Sequence, residues 1–315
     1  MKNLKLYKKK LTKLGLILVI SVLLAASLLT GCTSNTDPSK QPDPAVQEPQ
    51  NNEASIMDNY KKLIESGAEP KAVFEFLDEN AKVLSKENVA LIVEEVEKLQ
   101  KKYLSKLEEK YYEGTEIQEG LIKIYLAKKD INDLANSETE ALKNLIDETI
   151  QGGYKVETAE GMFFPIINYS AYKNYSAFLP EDIKGYIELM SVESDKVPAK
   201  DAALVIGWDE LLERALKQEA FIGKYPASSK LLEVSELYRK YKTFVFLGLN
   251  NTPLFSYDSN IMEADAKAAY ESIDSTSEDS QLKKELKEFM ILLVDSNNKL
   301  TPEIDKFRKD LIEKI

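Results

Sequence analysis

The residues from 89 to 107 carry an apolar side chain at every third or fourth position, while Glu and Lys fill most positions between them. The apolar positions are Val89, Ile92, Val93, Val96, Leu99, Tyr103 and Leu107. Spacings of three and four residues match the α-helical period, so these side chains share one face that can be buried. The pattern predicts a long amphipathic helix over about residues 86–112.

Helical spacing continues through most of the chain after residue 54, and capping signals divide it into separate helices. Capping-box patterns begin at Ser137 and Ser275, and Thr301 precedes a proline at a first helical position. The glycines that fit helix ends are Gly67, Gly114, Gly152 and Gly153. No alternating β-branched run lies between hairpin turns, and the strand-like piece 243–249 continues a helical spacing, so no sheet is expected. The chain is therefore predicted to be all-α, as a multi-helix bundle or an irregular helical array.

A joint in the helical region is expected at Gly152 and Gly153, because two adjacent glycines are followed by the least helical segment, residues 154–169. This organisation fits two linked helical lobes, residues 55–151 and 152–315. It also fits one continuous helical domain, and the pattern leaves both arrangements open.

The N-terminus has the layout of a secretory signal. Residues 1–13 contain six lysines and no acid, and residues 14–29 are almost wholly apolar. A basic segment before a short apolar one is typical of a signal peptide, and the apolar run is shorter than the ~20 residues that a spanning helix needs. Cys32, the only cysteine of the chain, follows this run. An uncleaved anchor with an incidental cysteine is the alternative.

The sequence Leu-Thr-Gly-Cys at residues 29–32 resembles the lipobox of bacterial lipoproteins. The resemblance implies removal of residues 1–31 and transfer of a diacylglyceryl group to Cys32, often with acylation of the new N-terminus. The protein would then be held at the extracytoplasmic face of the cell membrane by lipid alone. More than one acyl chain is needed, since a single chain gives only marginal membrane binding.

Residues 32–54 are rich in proline and polar side chains and contain few apolar ones. This composition predicts a disordered tether. A flexible chain of this length would hold the following domain on the order of 25 Å from the membrane.

Charge and composition exclude several classes of function. Without residues 1–31 the chain has 36 basic and 53 acidic residues, a net charge of −17, so nucleic acid is not an expected partner. The chain contains no histidine, which excludes Ser-His and Cys-His catalysis and histidine metal sites. If Cys32 is lipidated, the remaining chain has no free thiol. No cofactor or metal is expected.

Residues 215–228 and the helical pattern after them resemble one hairpin of the tetratricopeptide type, in the form whose turn reads Tyr-Pro-x-Ser. Here that turn is Tyr225 to Ser228, and Leu237, Tyr238 and Tyr241 follow. In that family such hairpins stack and bind other proteins, which implies a role in partner binding. The chain shows no repeat at the ~34-residue period, so the resemblance implies a single angled helix pair.

Acidic and asparagine residues supply candidate polar contacts. Glu157, Glu160, Glu193 and Asp195 lie in or near irregular segments. Two carboxylates across a cleft can hydrolyse a glycosidic bond, although solvated surface acids are the simpler interpretation. Asn250 and Asn251, before Thr-Pro, suit either a helix end and turn or a loop that contacts a ligand. No calcium-loop motif is complete.

An aromatic segment is the most unusual feature, because residues 154–178 hold seven of the 28 aromatic side chains. They are Tyr154, Phe163, Phe164, Tyr169, Tyr172, Tyr175 and Phe178. On an α-helix the tyrosines at 169, 172 and 175 would form an oblique stripe. That stripe is either core or the lining of a cleft for a sugar or a partner peptide. The candidate ligand-binding residues are Glu160, Phe163, Tyr169, Tyr172, Tyr175, Asn250 and Asn251.

These features favour a lipid-anchored, non-enzymatic binding or interaction module of the cell envelope, with an envelope protein or a cell-wall glycan as partner. A solute- or glycan-binding lipoprotein is an alternative, although transporter-linked solute-binding proteins usually alternate strands and helices. A carboxylate-based cell-wall hydrolase is a further alternative, which would need a catalytic glutamate motif. A purely structural lipoprotein is the last.

Overall fold

Helices dominate the computed structural model, which describes residues 49–273 and 280–313. The α-helices are α1 (Pro49–Glu65), α2 (Pro70–Asn80), α3 (Lys86–Tyr112), α4 (Glu116–Leu126), α5 (Glu140–Gln151), α6 (Glu181–Asp195), α7 (Trp208–Lys224), α8 (Leu231–Leu247), α9 (Ala264–Ser272), α10 (Gln281–Asp295) and α11 (Pro302–Glu313). Two 3₁₀ helices span Leu134–Asn136 and Tyr169–Phe178. The helical array predicted from the apolar spacing is confirmed. The signal segment, Cys32, most of the predicted tether and the capping box at Ser275 lie outside the described residues.

Within the described ranges, three short antiparallel hairpins lie between the helices. Their strands are β1 (Tyr154–Ala159), β2 (Met162–Ile167), β3 (Ala199–Lys200), β4 (Ala203–Leu204), β5 (Gly248–Leu249) and β6 (Thr252–Pro253). The expectation of no sheet is therefore wrong in detail. The β1–β2 turn is Glu160-Gly161, with φ of +52° and +77°, a pair of positive values typical of a type I′ turn. Glutamate is not a usual residue of that turn, so the hairpin signal was missed.

The predicted long helix is confirmed, and its bounds are those of α3. Ser85 caps it by accepting a hydrogen bond from the Asn88 amide at 3.4 Å. The Glu53 carboxylate of α1 accepts from the Ser85 amide and from Asn88 Nδ2, each at 2.7 Å. α1 begins at Pro49, so the last residues of the predicted tether are helical.

Two of the predicted helix starts fall within the described residues. Thr301 Oγ1 accepts from the Ile304 amide at 3.2 Å and caps α11, as predicted. The cap of α5 is Thr139, which accepts from the Leu142 amide at 3.2 Å, rather than Ser137. The difference arises because Ser137 ends the preceding 3₁₀ turn.

Apolar side chains from both sides of Gly152-Gly153 share one hydrophobic cluster. Val93 of α3, for example, belongs to the same cluster as Tyr172. Gly153 has a φ of +73°, and a Cβ there would lie 2.3 Å from the Phe74 ring. Only glycine fits this close approach, so the pair marks a packed turn.

The row of tyrosines lies on a 3₁₀ helix of ten residues, Tyr169–Phe178, rather than on an α-helix. Three residues per turn bring positions i and i+3 into register. Tyr169, Tyr172 and Tyr175 therefore form a straight row, which corrects the oblique stripe expected for an α-helix. All three side chains are buried.

No helix within residues 49–273 and 280–313 is both long enough and apolar enough to span a membrane.

Candidate binding site between α6 and α7

The three tyrosines of the row lie in the core, and each hydroxyl has a hydrogen-bond partner. Tyr169 donates to Glu97 Oε1 at 2.7 Å, and Tyr175 donates to Asp78 Oδ1 at 2.6 Å. Tyr172 donates to Gln100 Oε1. Burial together with satisfied hydroxyls supports the core interpretation of the row.

Two tyrosines of the row belong to a cluster of buried polar side chains around α3, which we call the α3 polar cluster. Its members are Glu97, Gln100, Tyr169, Tyr172, Tyr186 and Lys230. Lys230 Nζ lies 2.6 Å from Glu97 Oε2, and the two side chains are 5% and 3% exposed. Tyr186 donates to Glu97 Oε1 at 2.6 Å. Gln100 Nε2 donates to the carbonyl oxygens of Gly152 at 2.7 Å and Gly153 at 2.9 Å.

The carboxylate of Glu97 is stabilised in its ionised form. Burial alone would raise its pKa, but the charge of Lys230 and hydrogen bonds from Lys101, Lys230 and Tyr186 outweigh burial and lower the pKa to about 2. The cavity beside the cluster has a volume of about 10 Å³, which is about the space of one water molecule. The α3 polar cluster therefore has the character of a structural network.

The other predicted ligand residues lie elsewhere. Phe163 is 1% exposed and belongs to a separate apolar cluster with Tyr111 and Leu121. Asn251 Nδ2 donates to the Asp201 carbonyl in the β3–β4 turn, and the carboxyl of Asp201 raises the pKa of Glu160 by hydrogen bonding and charge. Glu160 and Asn251 therefore both interact with Asp201 of the β3–β4 turn.

The remaining asparagine and two of the acids are engaged in local contacts. The Asn250 carbonyl accepts from the Tyr257 hydroxyl at 3.1 Å. Glu157 and Asp195 pair with Lys200 and Lys155, respectively, at 2.9 Å.

An opening with buried polar side chains in its lining lies between α6 and α7. It has a volume of about 400 Å³, and we call it the α6–α7 groove. Its lining includes Leu189, Val192, Glu193, Arg214, Gln218 and Phe221. The helices run antiparallel, because Gly185 faces Phe221 while Glu193, two turns later, pairs with Arg214.

Arg214 forms the polar floor of the groove, and its side chain is 5% exposed. Its Nη1 donates to the Lys196 carbonyl at 2.8 Å and to the Tyr241 hydroxyl at 3.2 Å. The guanidinium also pairs with Glu193 at 3.3 Å and with Glu210 at 2.5 Å. Two carboxylates therefore neutralise one guanidinium, and the floor has no free positive charge.

Burial raises the pKa of Glu193, and hydrogen bonds from Tyr241 and Arg214 together with the Arg214 charge offset this only in part. Tyr241 donates its hydroxyl proton to the same carboxylate. Of the four acids considered from the sequence, Glu193 is the one that lines this groove.

Two atoms of residues that line the groove are themselves inaccessible to solvent and have no hydrogen-bond partner within the described part of the chain. They are Nε of Arg214 and Oε1 of Gln218, and Gln218 is 1% exposed. Burying a polar group without a partner costs about 1–3 kcal/mol, so each such atom in a folded protein needs an explanation. One is a donor and the other is an acceptor, and both side chains line the same cavity.

The sequence contains a signal that could have revealed this site. Arg214 and Gln218 are four residues apart, and Leu211, Ala215 and Phe221 occupy the buried face of the same helix. Two polar side chains on an otherwise apolar helical face mark either a buried network or a site.

Among residues 49–273 and 280–313 no group of three or more Cys, His, Asp and Glu side chains is arranged to hold a metal ion. Comparison of the chain with protein-family models, with curated proteins and with solved structures gives no significant match.

Proposed function

We propose that this protein is a lipid-anchored binding module on the extracytoplasmic face of a bacterial cell membrane, and that it binds its partner in the α6–α7 groove. The anchor is the lipid on Cys32, as the Leu-Thr-Gly-Cys sequence at residues 29–32 implies. The acidic composition favours a protein or glycan of the envelope over nucleic acid as partner.

One observation carries the binding role: a cavity of about 400 Å³ between α6 and α7 is lined both by apolar side chains, such as Leu189 and Phe221, and by the polar side chains of Glu193, Arg214 and Gln218. A cavity with apolar walls and a few convergent polar groups is the usual form of a ligand site.

A carboxylate-based hydrolase has less support. Such an enzyme needs two carboxylates free to face the substrate. Glu157 and Asp195 instead hold Lys200 and Lys155 in ion pairs.

The groove is tested by incorporating a photoreactive amino acid at position 220 in living cells. Ala220 is exposed and lines the groove, whereas Ala268, an exposed alanine of α9, does not and is the matched control. We expect a defined crosslinked product from position 220 that disappears in the Gln218→Met variant. Equal products from both positions, or a product unaffected by Gln218→Met, would contradict the proposal.

The anchor is tested separately by Cys32→Ala. We expect the variant to lose incorporation of labelled acyl chains and to remain unprocessed, because the thioether cannot form. Labelled acyl chain on the variant, or unlipidated wild-type protein, would argue against the lipobox.

A further inference from the structure

We infer that the C-terminal end of α4 is a second contact between the domain and the membrane, in addition to the lipid on Cys32, and that it docks on anionic lipid headgroups at the bilayer surface. This inference rests on the proposed lipid anchor rather than on the α6–α7 groove. We call the surface the α4 patch. Its residues are Ile122, Lys123, Tyr125, Leu126, Lys128 and Lys129.

The apolar part of the α4 patch lies on one side of the helix. Ile122, Tyr125 and Leu126 are all exposed, and spacings of three and four residues place them on one face. The Tyr125 ring contacts the Phe163 ring edge-on, with centroids 5.8 Å apart, so its position is fixed by the core. Apolar side chains exposed singly need no explanation, whereas a contiguous group marks a contact surface for a protein or a membrane.

Three lysines flank this apolar face. Lys123 lies on α4, and Lys128 and Lys129 follow directly after the helix. All three are exposed, and none of them forms an ion pair with a residue that the structure describes. The amides of Lys128 and Lys129 bond back to carbonyl oxygens in the last turn of α4 at 2.9 and 3.1 Å, so the two residues are fixed at the helix end.

A face that combines apolar and cationic side chains matches the chemistry of an anionic bilayer surface. Apolar side chains enter the boundary between headgroups and acyl chains, while lysines extend their ammonium groups to the phosphates. Tyrosine is enriched at this boundary, because its ring is apolar and its hydroxyl is polar. An acidic protein would match the lysines as well, but a domain tethered to the bilayer meets it at a high effective concentration.

The chain between the lipid and α1 is long enough for the α4 patch to reach the membrane. It comprises residues 33–48, and sixteen residues span at most about 53–58 Å when fully extended. Glu53 of α1 bonds to Ser85 at the start of α3 at 2.7 Å. Gln118 of α4 bonds to Tyr111 near the end of α3 at 3.0 Å. The rise along α3 from Ser85 to Tyr111 is about 39 Å, which is less than this reach.

The acidic charge of the rest of the chain does not prevent this contact. Salt screens charges beyond about 8–10 Å at physiological ionic strength, so the headgroups respond to the side chains nearest to them. Residues 122–129 carry three positive charges and no negative one. Asp130 and Glu119 border this stretch, and Asp130 Oδ1 accepts from the Asn132 amide at 2.8 Å. A basic end on an acidic domain therefore determines which end faces the membrane.

A comparable apolar pair on α10 has the opposite charge pattern. Ile291 and Val294 are exposed and lie three residues apart on the helix. Residues 288–295, which include this pair, contain two acids and no basic residue. Carboxylates oppose approach to anionic headgroups, so this surface is the matched control.

The test places an environment-sensitive dye on the cysteine of Leu126→Cys or of Val294→Cys, at positions that are 73% and 72% exposed in the wild type. The lipidated protein has no other free thiol, because Cys32 is the only natural cysteine and its sulfur holds the lipid. Each labelled protein is reconstituted in vesicles of phosphatidylglycerol and phosphatidylcholine that contain a doxyl-labelled quencher lipid. We expect strong quenching of the dye at position 126 and little at position 294.

Two pairs of lysine substitutions, each made in the Leu126→Cys protein, separate local charge from net charge. Lys128→Asn with Lys129→Gln alters the α4 patch, with asparagine at 128 because φ there is +56°. Lys284→Gln with Lys287→Gln removes two exposed lysines from α10. A lysine near an anionic surface contributes about a fivefold factor, so the first pair should lower the ratio of docked to undocked domain on the order of 25-fold. The second pair should leave this ratio unchanged, and vesicles of phosphatidylcholine alone should abolish docking.

Equal quenching at positions 126 and 294, or an equal effect of the two lysine pairs, would overturn the membrane contact. A protein crosslinked in cells to a photoreactive residue at position 126, with no quenching in vesicles, would overturn it too and would assign the α4 patch to an acidic partner protein. A protein that carries no acyl chain would instead remove the proposed anchor, and this inference with it.

Discussion

The α3 polar cluster and the floor of the α6–α7 groove are built from the same kinds of side chain. Each contains a glutamate, a basic residue, a glutamine and a tyrosine. The α3 set includes Glu97, Lys230, Gln100 and Tyr186. The groove set is Glu193, Arg214, Gln218 and Tyr241.

The two clusters differ in how completely these groups are satisfied. Gln100 uses both its amide nitrogen and its oxygen, whereas Gln218 Oε1 has no partner in the described structure. The adjoining cavities have volumes of about 10 Å³ and 400 Å³. The same kinds of side chain therefore occur in a structural network and in the groove that we propose as a binding site, and hydrogen-bond accounting distinguishes the two.

The largest effect should come from Tyr172→Ala, which removes a 1% exposed ring that packs against Phe74 and bonds to Gln100. We expect a loss of about 3–5 kcal/mol in the free energy of unfolding, measured by urea denaturation, as for other buried aromatic truncations. Tyr257→Ala, at a 71% exposed position, is the control and should cost little. A stable, folded Tyr172→Ala protein would reopen the cleft interpretation of the tyrosine row.

Lys230→Met should be nearly as damaging, because it leaves the buried carboxylate of Glu97 without its closest cation. Removing one partner of a buried pair typically costs about 3–5 kcal/mol. Lys101→Met is the matched control: Lys101 also pairs with Glu97, at 2.8 Å, but is 49% exposed. Its loss should cost less than about 1 kcal/mol. Equal effects of the two variants would contradict a structural role for the buried Lys230–Glu97 pair.

The two glutamates should respond to pH in opposite directions. The pKa of Glu97 falls from 4.5 to about 2 on folding, so its contribution to stability is present above pH 4.5 and is lost as pH drops towards 2. Burial raises the pKa of Glu193 above 4.5, so the folded protein gains stability from that group as pH falls towards 4.5. Urea denaturation of Glu97→Gln and Glu193→Gln between pH 7 and 3 measures both.

Relative to wild type, Glu97→Gln should be most destabilising at pH 7, and its deficit should shrink below pH 4.5. The stability of Glu193→Gln relative to wild type should be highest at pH 7 and should decrease as pH falls, because the wild-type protein gains stability when Glu193 takes up a proton. If the free energy of unfolding of both variants changed with pH in the same way, Glu97 and Glu193 would not have the different environments described above.

The sequence predicted the elements whose local residue pattern is typical of their structure. The apolar spacing from Val89 to Leu107 predicted a helix over about residues 86–112, and α3 has these bounds. The β1–β2 hairpin was missed because its turn, Glu160-Gly161, lacks the usual asparagine or aspartate.

The candidate site was less predictable, since it depends on tertiary packing. The tyrosine row was recognised from its spacing, but its burial depends on contacts with Glu97 and Gln100, more than 70 residues earlier in the chain. The groove depends on how α6 lies against α7, and the spacing of Arg214 and Gln218 indicates only that they share a helical face.

The most direct test of the central claim is the free energy of unfolding of Gln218→Met compared with that of Gln100→Met. Gln100→Met removes hydrogen bonds to two backbone carbonyls and to Tyr172, and should cost about 2–3 kcal/mol. Gln218→Met replaces an unpartnered buried oxygen with an apolar group of similar length, and should change stability by less than about 0.5 kcal/mol or increase it. A loss for Gln218→Met as large as that for Gln100→Met would show that Gln218 serves the fold, and would contradict its assignment to a binding site.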